Sequence, residues 1–104
     1  MDDVNFGILE GDIVYPVDVQ EKDGKKAYNF VVETKHYTKL GGQQGFRFQC
    51  VSWNKEFERF VPLMKPGEFV RVYYHLQENK MEIGEGKFLS YNKACVDRIE
   101  FNNM

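Results

Sequence analysis

From Phe46 to Trp53 the chain reads Phe-Arg-Phe-Gln-Cys-Val-Ser-Trp, and its alternate positions separate into two sets. Arg47, Gln49, Val51 and Trp53 share one face of an extended segment, and Phe48, Cys50 and Ser52 share the other. A cation, an amide, an aliphatic group and an indole in one row suit contact with unstacked bases. Aromatic and apolar surfaces stack the bases, while Arg and Gln meet phosphates and base edges. The competing placement turns Val51 and Trp53 into the interior. Upstream, Lys35-His36-Tyr37-Thr38-Lys39 interleaves cations with an aromatic, as a phosphate clamp with a stacking platform or as a solvated hairpin tip. Downstream, Val70, Val72, Tyr74 and Leu76 form an apolar set suited to a core. Arg71, Tyr73, His75 and Gln77 then face outward, and the Tyr-His pair fits either a ligand surface or an interface between copies.

Signs of catalysis are missing. His36 and His75 lie far apart, without the neighbours of a nucleophile-base-acid triad. Gly41-Gly42 and Gly45 are followed by no Gly-Lys-Ser/Thr and open no helix, so they read as a flexible loop rather than a phosphate cradle. The acids near the start lack the spacing of a calcium loop. Cys50 and Cys95 match no metal-ligand spacing and read as reduced core thiols, with a disulfide as the alternative. No cofactor or metal is expected.

The elements that must position these residues follow from length and periodicity. With 104 residues the chain has the size of one domain, expected over 1–104, and enough length for one core. Net charge is −2, unevenly spread: residues 1–24 hold seven acids against Lys22, whereas residues 25–104 carry a balance of +4. A weakly basic body behind an acidic opening is compatible with phosphate contact on one face. The opening Met-Asp-Asp-Val-Asn has no basic, apolar leader and no run reaches membrane-spanning length, so a cytoplasmic protein is expected.

Period-two alternation dominates. Ile8 to Val19 reads as a first strand, with Gly11 a bulge and Pro16 a kink or an edge position; Glu21 to Lys26 is a turn around Asp23-Gly24. A second strand is expected over Ala27–Tyr37, a loop over Lys39–Gly45 and a third strand over Phe46–Trp53. Asn54 can cap a short helix that places Phe57, Phe60, Val61 and Met64 on one side, with Pro62 stopping or distorting it. A fourth strand from Phe69 to about Met81 and a fifth from Lys87 to Phe101 complete the chain. The fold class is therefore all-β: a five-stranded OB-fold barrel with one short helix between strands three and four.

Several of these segments resemble the bacterial single-stranded DNA-binding protein family over most of the chain. They are Ile8-Leu9-Glu10-Gly11, Asn29 to Thr34, Gln49-Cys50-Val51-Ser52-Trp53, Phe57 to Gly67, Phe69 to Val72 and His75-Leu76-Gln77. The resemblance implies a non-catalytic OB-fold that holds single-stranded DNA in replication, recombination or repair, with RNA as a variant. Its site would comprise Lys35, Tyr37, Lys39, Arg47, Gln49, Trp53 and Lys80. Trp53 matches the family's stacking position, whereas Arg47 falls where an aromatic is usual and Met81 near the usual tip tryptophan. Of the fourth strand's basic run, Gln77-Glu78-Asn79-Lys80 keeps only Lys80, which implies weaker binding than in a typical member. The family also implies a homo-oligomer and contacts with replication or repair proteins. The ending Asn102-Asn103-Met104 implies a short, tail-less relative, comparable in length to primosomal replication protein N, without the acidic recruiting tail. The alternative is an OB-fold protein-interaction module that has lost its nucleic-acid groove, in keeping with the acidic opening and the missing basic run.

Overall fold

The computed structural model describes residues 4–102; Asp2 and Asp3 of the acidic opening and Asn103 and Met104 at the close lie outside them. Six strands and one 3₁₀ helix follow in the order β1 (Gly7–Ile13), β2 (Asp18–Lys22), β3 (Lys25–Tyr37), β4 (Gln43–Ser52), helix (Lys55–Leu63), β5 (Phe69–Gly84) and β6 (Lys87–Phe101). Sheet order is β1-β5-β6-β4-β3-β2, and a further β1–β3 pairing closes five of the strands into a mixed barrel with the expected OB architecture. Among the described residues no helix is long and apolar enough to cross a membrane.

Alternation determines the interior. Leu9 and Ile13 of β1, Tyr28, Phe30 and Val32 of β3, Cys50 of β4, Val70 and Val72 of β5 and Ala94 of β6 are buried together. Each removes its apolar surface from water at about 25 cal/mol per Å². The helix adds Phe57, whose ring stacks on Phe30 at 5.7 Å, and Met64. Asn54 caps it by accepting a hydrogen bond from the Glu56 amide at 3.0 Å, as its position suggested. Pro62 lies within the helix, which is wound as a 3₁₀ helix throughout; a proline has no N–H to donate into an α-helical ladder.

Several boundaries differ from the sequence reading: the strand expected from Ala27 begins at Lys25, and the one expected over Phe46–Trp53 runs over Gln43–Ser52. The first strand ends at Ile13 rather than Val19, because the segment around Pro16 leaves the sheet and Asp18–Lys22 returns as a separate strand against β3. The turn that follows contracts to Asp23 and Gly24, both with positive φ (54° and 78°), as a two-residue hairpin with the twist of its strands requires. The fourth strand of the barrel runs on to Gly84, pairing with β6 as far as Gly84–Lys87.

The barrel is held shut on one side by little pairing: β1 meets β3 at Asp12–Glu33 and Ile13–Val32 only. Gly11 makes that approach possible, since a Cβ there would fall on the backbone carbonyl of Glu33. Gly11→Ala is expected to lower stability by about 1–3 kcal/mol, the usual cost of forcing extra volume into a filled site. Urea denaturation checks this; an unchanged midpoint would show that β1 and β3 can part without cost.

Candidate nucleic-acid interface

Two long hairpins project from the barrel. β3 and β4 pair continuously from Tyr28–Ser52 out to Tyr37–Gln43, and β5 and β6 from Val70–Phe101 out to the Gly84–Lys87 turn, with irregularities at Tyr73–Tyr74 and at Glu82–Gly84. Between them, β4 and β6 pair in parallel at Cys50–Ala94 and Val51–Cys95 alone. Beyond that contact the arms diverge, and the radius of gyration, 15.4 Å, exceeds the roughly 13 Å of a compact chain of this length.

The divergence opens a cleft of about 750 Å³. One wall is Arg47, Phe48 and Gln49 of β4; the other comes from Tyr74, Leu76 and Met81 of β5 and from Leu89, Tyr91 and Ala94 of β6. Phe48 is 41% exposed and Tyr91 39%, so aromatic surface is presented to solvent inside a concavity. Leu76, expected in the core, is 47% exposed, because the barrel has already opened at its level.

The outer face of the sheet next to the cleft is polar and braced. The Arg47 guanidinium donates to Glu33 Oε2 at 3.0 Å and to the Tyr15 hydroxyl at 2.6 Å, and lies 5.5 Å from the centre of the Tyr15 ring. That carboxylate, and then the phenol, hold its pKa above the ordinary arginine value. Lys93 of β6 reaches over β4 to donate to Asn29 Oδ1 of β3 at 2.7 Å. Val51, between those strands, is buried beneath this bridge although it belongs to the outward set, so neither simple placement of that set holds.

The residues singled out from sequence do not form one patch. Arg47 and Gln49 lie side by side on the cleft wall. Lys35 and Tyr37 lie on the same face of β3, towards the arm's end, where Lys35 approaches Asp12 at 3.8 Å and Tyr37 is 78% exposed. Lys39 sits in the turn beyond, which Thr38 closes by accepting from the Gly42 amide at 3.0 Å. Trp53 falls past the end of β4, in a separate pocket with Tyr28, Lys25, Lys26 and Lys55. At roughly 3.3 Å per residue it is about 20 Å along the strand from Arg47. Lys80, paired with Ser90, lies one step out of phase with Met81 and Leu89, which line the cleft. Sequence reasoning missed Phe48, Tyr91, Lys93 and Tyr15. Phe48 belongs by parity to the inward set, and the other three come from segments whose neighbours in space are remote in sequence.

The outward Tyr73 and His75 are engaged within the chain. Tyr73 stacks with Phe6 at 6.3 Å and lies 5.5 Å from the Arg98 guanidinium, while His75 Nδ1 is 2.9 Å from Asp97 Oδ1. Among the described residues no group of three or more His, Cys, Asp or Glu side chains is placed to hold a metal ion.

No family model matches this sequence, and no curated protein is similar to it in sequence. The fold does have solved counterparts. The structure "Plasmodium falciparum SSB complex with ssDNA" superposes with a TM-score of 0.79 over 96% of this chain and 94% of that one, at 13% identity. At that identity the likeness is one of fold.

Both cysteines are free. Burial pushes the Cys50 thiol up to about 12, and burial followed by the Asp97 charge also raises Cys95, which is half-buried on the opposite face. Both therefore stay protonated at pH 8. A thiol reagent at that pH is expected to label Cys95 slowly, faster as pH rises, and to reach Cys50 only on unfolding. Two rapid labels on the native chain would show that the β4–β6 contact opens freely.

Proposed function

We propose that the protein binds single-stranded DNA in the cleft between its two hairpin arms and performs no catalysis. The observation that carries this reading is the cleft itself, with solvent-exposed Phe48 and Tyr91 on facing walls and Arg47 beside Phe48. Aromatic faces stack any base, and cations at the rim meet the phosphates; single-strand binders combine these two contacts. In OB-folds, oligonucleotides bind on the face of barrel strands two and three, here β3 and β4, and at the adjoining loops. The solved complex of the same fold, which contains ssDNA, supports the choice of ligand.

Within this reading Gln49 contacts base edges, and Lys35, Tyr37 and Lys39 extend the path along the β3–β4 arm. Trp53 and Lys80 contribute only to strands long enough to leave the cleft. The absence of a triad or metal-ligand pattern in the sequence supports a binding role, and service in replication, recombination or repair follows from the ligand. Assembly into a homo-oligomer accords with the exposed Ile8 of β1 and Phe6 just before it.

One observation favours the protein-interaction alternative. Arg47 and Lys35 each approach a carboxylate, Glu33 and Asp12, so part of the positive charge is neutralised within the chain.

Fluorescence anisotropy of a labelled oligo-dT separates the two readings. Saturable binding is expected, with Phe48→Ala and Tyr91→Ala each weakening it by about 1–3 kcal/mol. Salt should weaken it with a log–log slope that Arg47→Ala makes shallower by about 0.7, the share of one phosphate contact on a single strand. Absence of binding at micromolar protein and low salt would contradict the proposal and leave the interaction module.

A further inference from the structure

A second concavity adjoins the cleft and differs from it in chemistry. It measures about 310 Å³, near the lower end of the range for small-ligand pockets, and lies between β2, the segment before it, and the outer faces of β3 and β4. Tyr15 and Pro16 supply its apolar side; Asp18, Asn29, Gln49 and Lys93 supply hydrogen-bonding groups of both kinds. Gln49 lines both concavities, so a strand in the cleft passes the mouth of this one.

The pocket is held in shape by its own side chains. Arg47 fixes Tyr15 through the 2.6 Å hydrogen bond to its hydroxyl, leaving a half-exposed ring as a wall. Gln20 donates to the Asp18 carboxylate at 3.1 Å, which leaves that carboxylate with further acceptor capacity. Lys93 donates one of its three protons to Asn29 Oδ1, and the Gln49 side-chain amide has no hydrogen-bond partner among the described residues. Asp18 and Lys93 thus flank Asn29, an acceptor and a donor in one pocket, since Asn29 pairs with Asp18 across the β2–β3 ladder and bonds Lys93 directly.

We propose that this pocket takes one base of the bound strand and selects guanine, Asp18 accepting from its N1–H and N2–H₂ and Lys93 donating to its O6 or N7. This rests on the single-strand reading of the neighbouring cleft. Guanine is the base that offers two adjacent donors to a carboxylate and two adjacent acceptors to an ammonium. Cytosine and adenine offer the carboxylate one amino group each. Thymine offers one N–H flanked by two carbonyl oxygens, which a carboxylate repels. Tyr15 stacks the base, and its phosphate stays outside, away from the Asp18 charge. The cleft tolerates any base, whereas the pocket adds a preference at one position of the strand.

The test compares oligo-dT of about a dozen nucleotides, a length in the range of one OB-fold site, with versions carrying a single guanine, inosine, adenine or cytosine at the centre. Anisotropy with the whole chain is expected to show the guanine version at least about fivefold tighter than the all-thymine strand, the lower bound for one good side-chain pairing to a base. Inosine, which lacks the N2 amine, should fall between them. Asp18→Asn, at an exposed position that carries no packing, should remove the preference and leave all-thymine binding within about twofold. Equal affinity for all versions, or a preference that survives Asp18→Asn, overturns the selectivity while the cleft reading stands. If the all-thymine strand itself fails to bind, the cleft reading falls and this inference with it.

Discussion

Two residue pairs of parallel ladder, Cys50–Ala94 and Val51–Cys95, join β4 to β6, and the candidate site depends on where that pairing ends. Had it continued outward, the two arms would have zipped into one sheet and Phe48 would have been covered. Had it been absent, the barrel would lack one of its seams. The contact is short but well supported. Cys50 and Ala94 face the core and are buried, and Lys93 bridges to Asn29 over the other face. The seam is covered on both sides, and the strands leave it in different directions.

The β1–β3 closure shows the same economy on another side of the barrel, at Asp12–Glu33 and Ile13–Val32, with Gly11 permitting the approach. Glu33 therefore takes part in two structures: its backbone pairs with β1, and its carboxylate holds Arg47 at the rim of the cleft. Such bracing limits how far Arg47 swings toward a ligand and also spares it some ordering cost on binding. Exposed ion pairs of this kind add little to stability, so their effect here is on side-chain position.

Much of the architecture was legible because it is local. Alternation located the strands, Asp23-Gly24 the hairpin and Asn54 the helix start, and β6 runs over Lys87–Phe101 as read. The break after Ile13 was missed because Val14 to Val19 keeps an alternating pattern; the sequence holds Pro16, but its effect depends on how β2 docks on β3. The site was less legible for a related reason. Arg47 and Gln49 were found because they lie two apart on one strand. Tyr91 and Lys93 reach them only through the β4–β6 seam, which no local pattern announces. Trp53 has the composition of a binding residue and continues the Arg47 row, yet the strand ends one residue before it and it lies in another pocket.

The central claim is that the space between the arms is where a nucleic-acid strand lies. Backbone NMR of the labelled protein, recorded with and without a short oligo-dT, tests it most directly. The expected shifts cluster on both arms, at Arg47 to Gln49, Leu76 to Met81 and Leu89 to Ala94, and spare the Phe6–Tyr73 face. Shifts confined to the Phe6–Tyr73 face or to the Trp53 pocket, with the arms unchanged, would contradict the account.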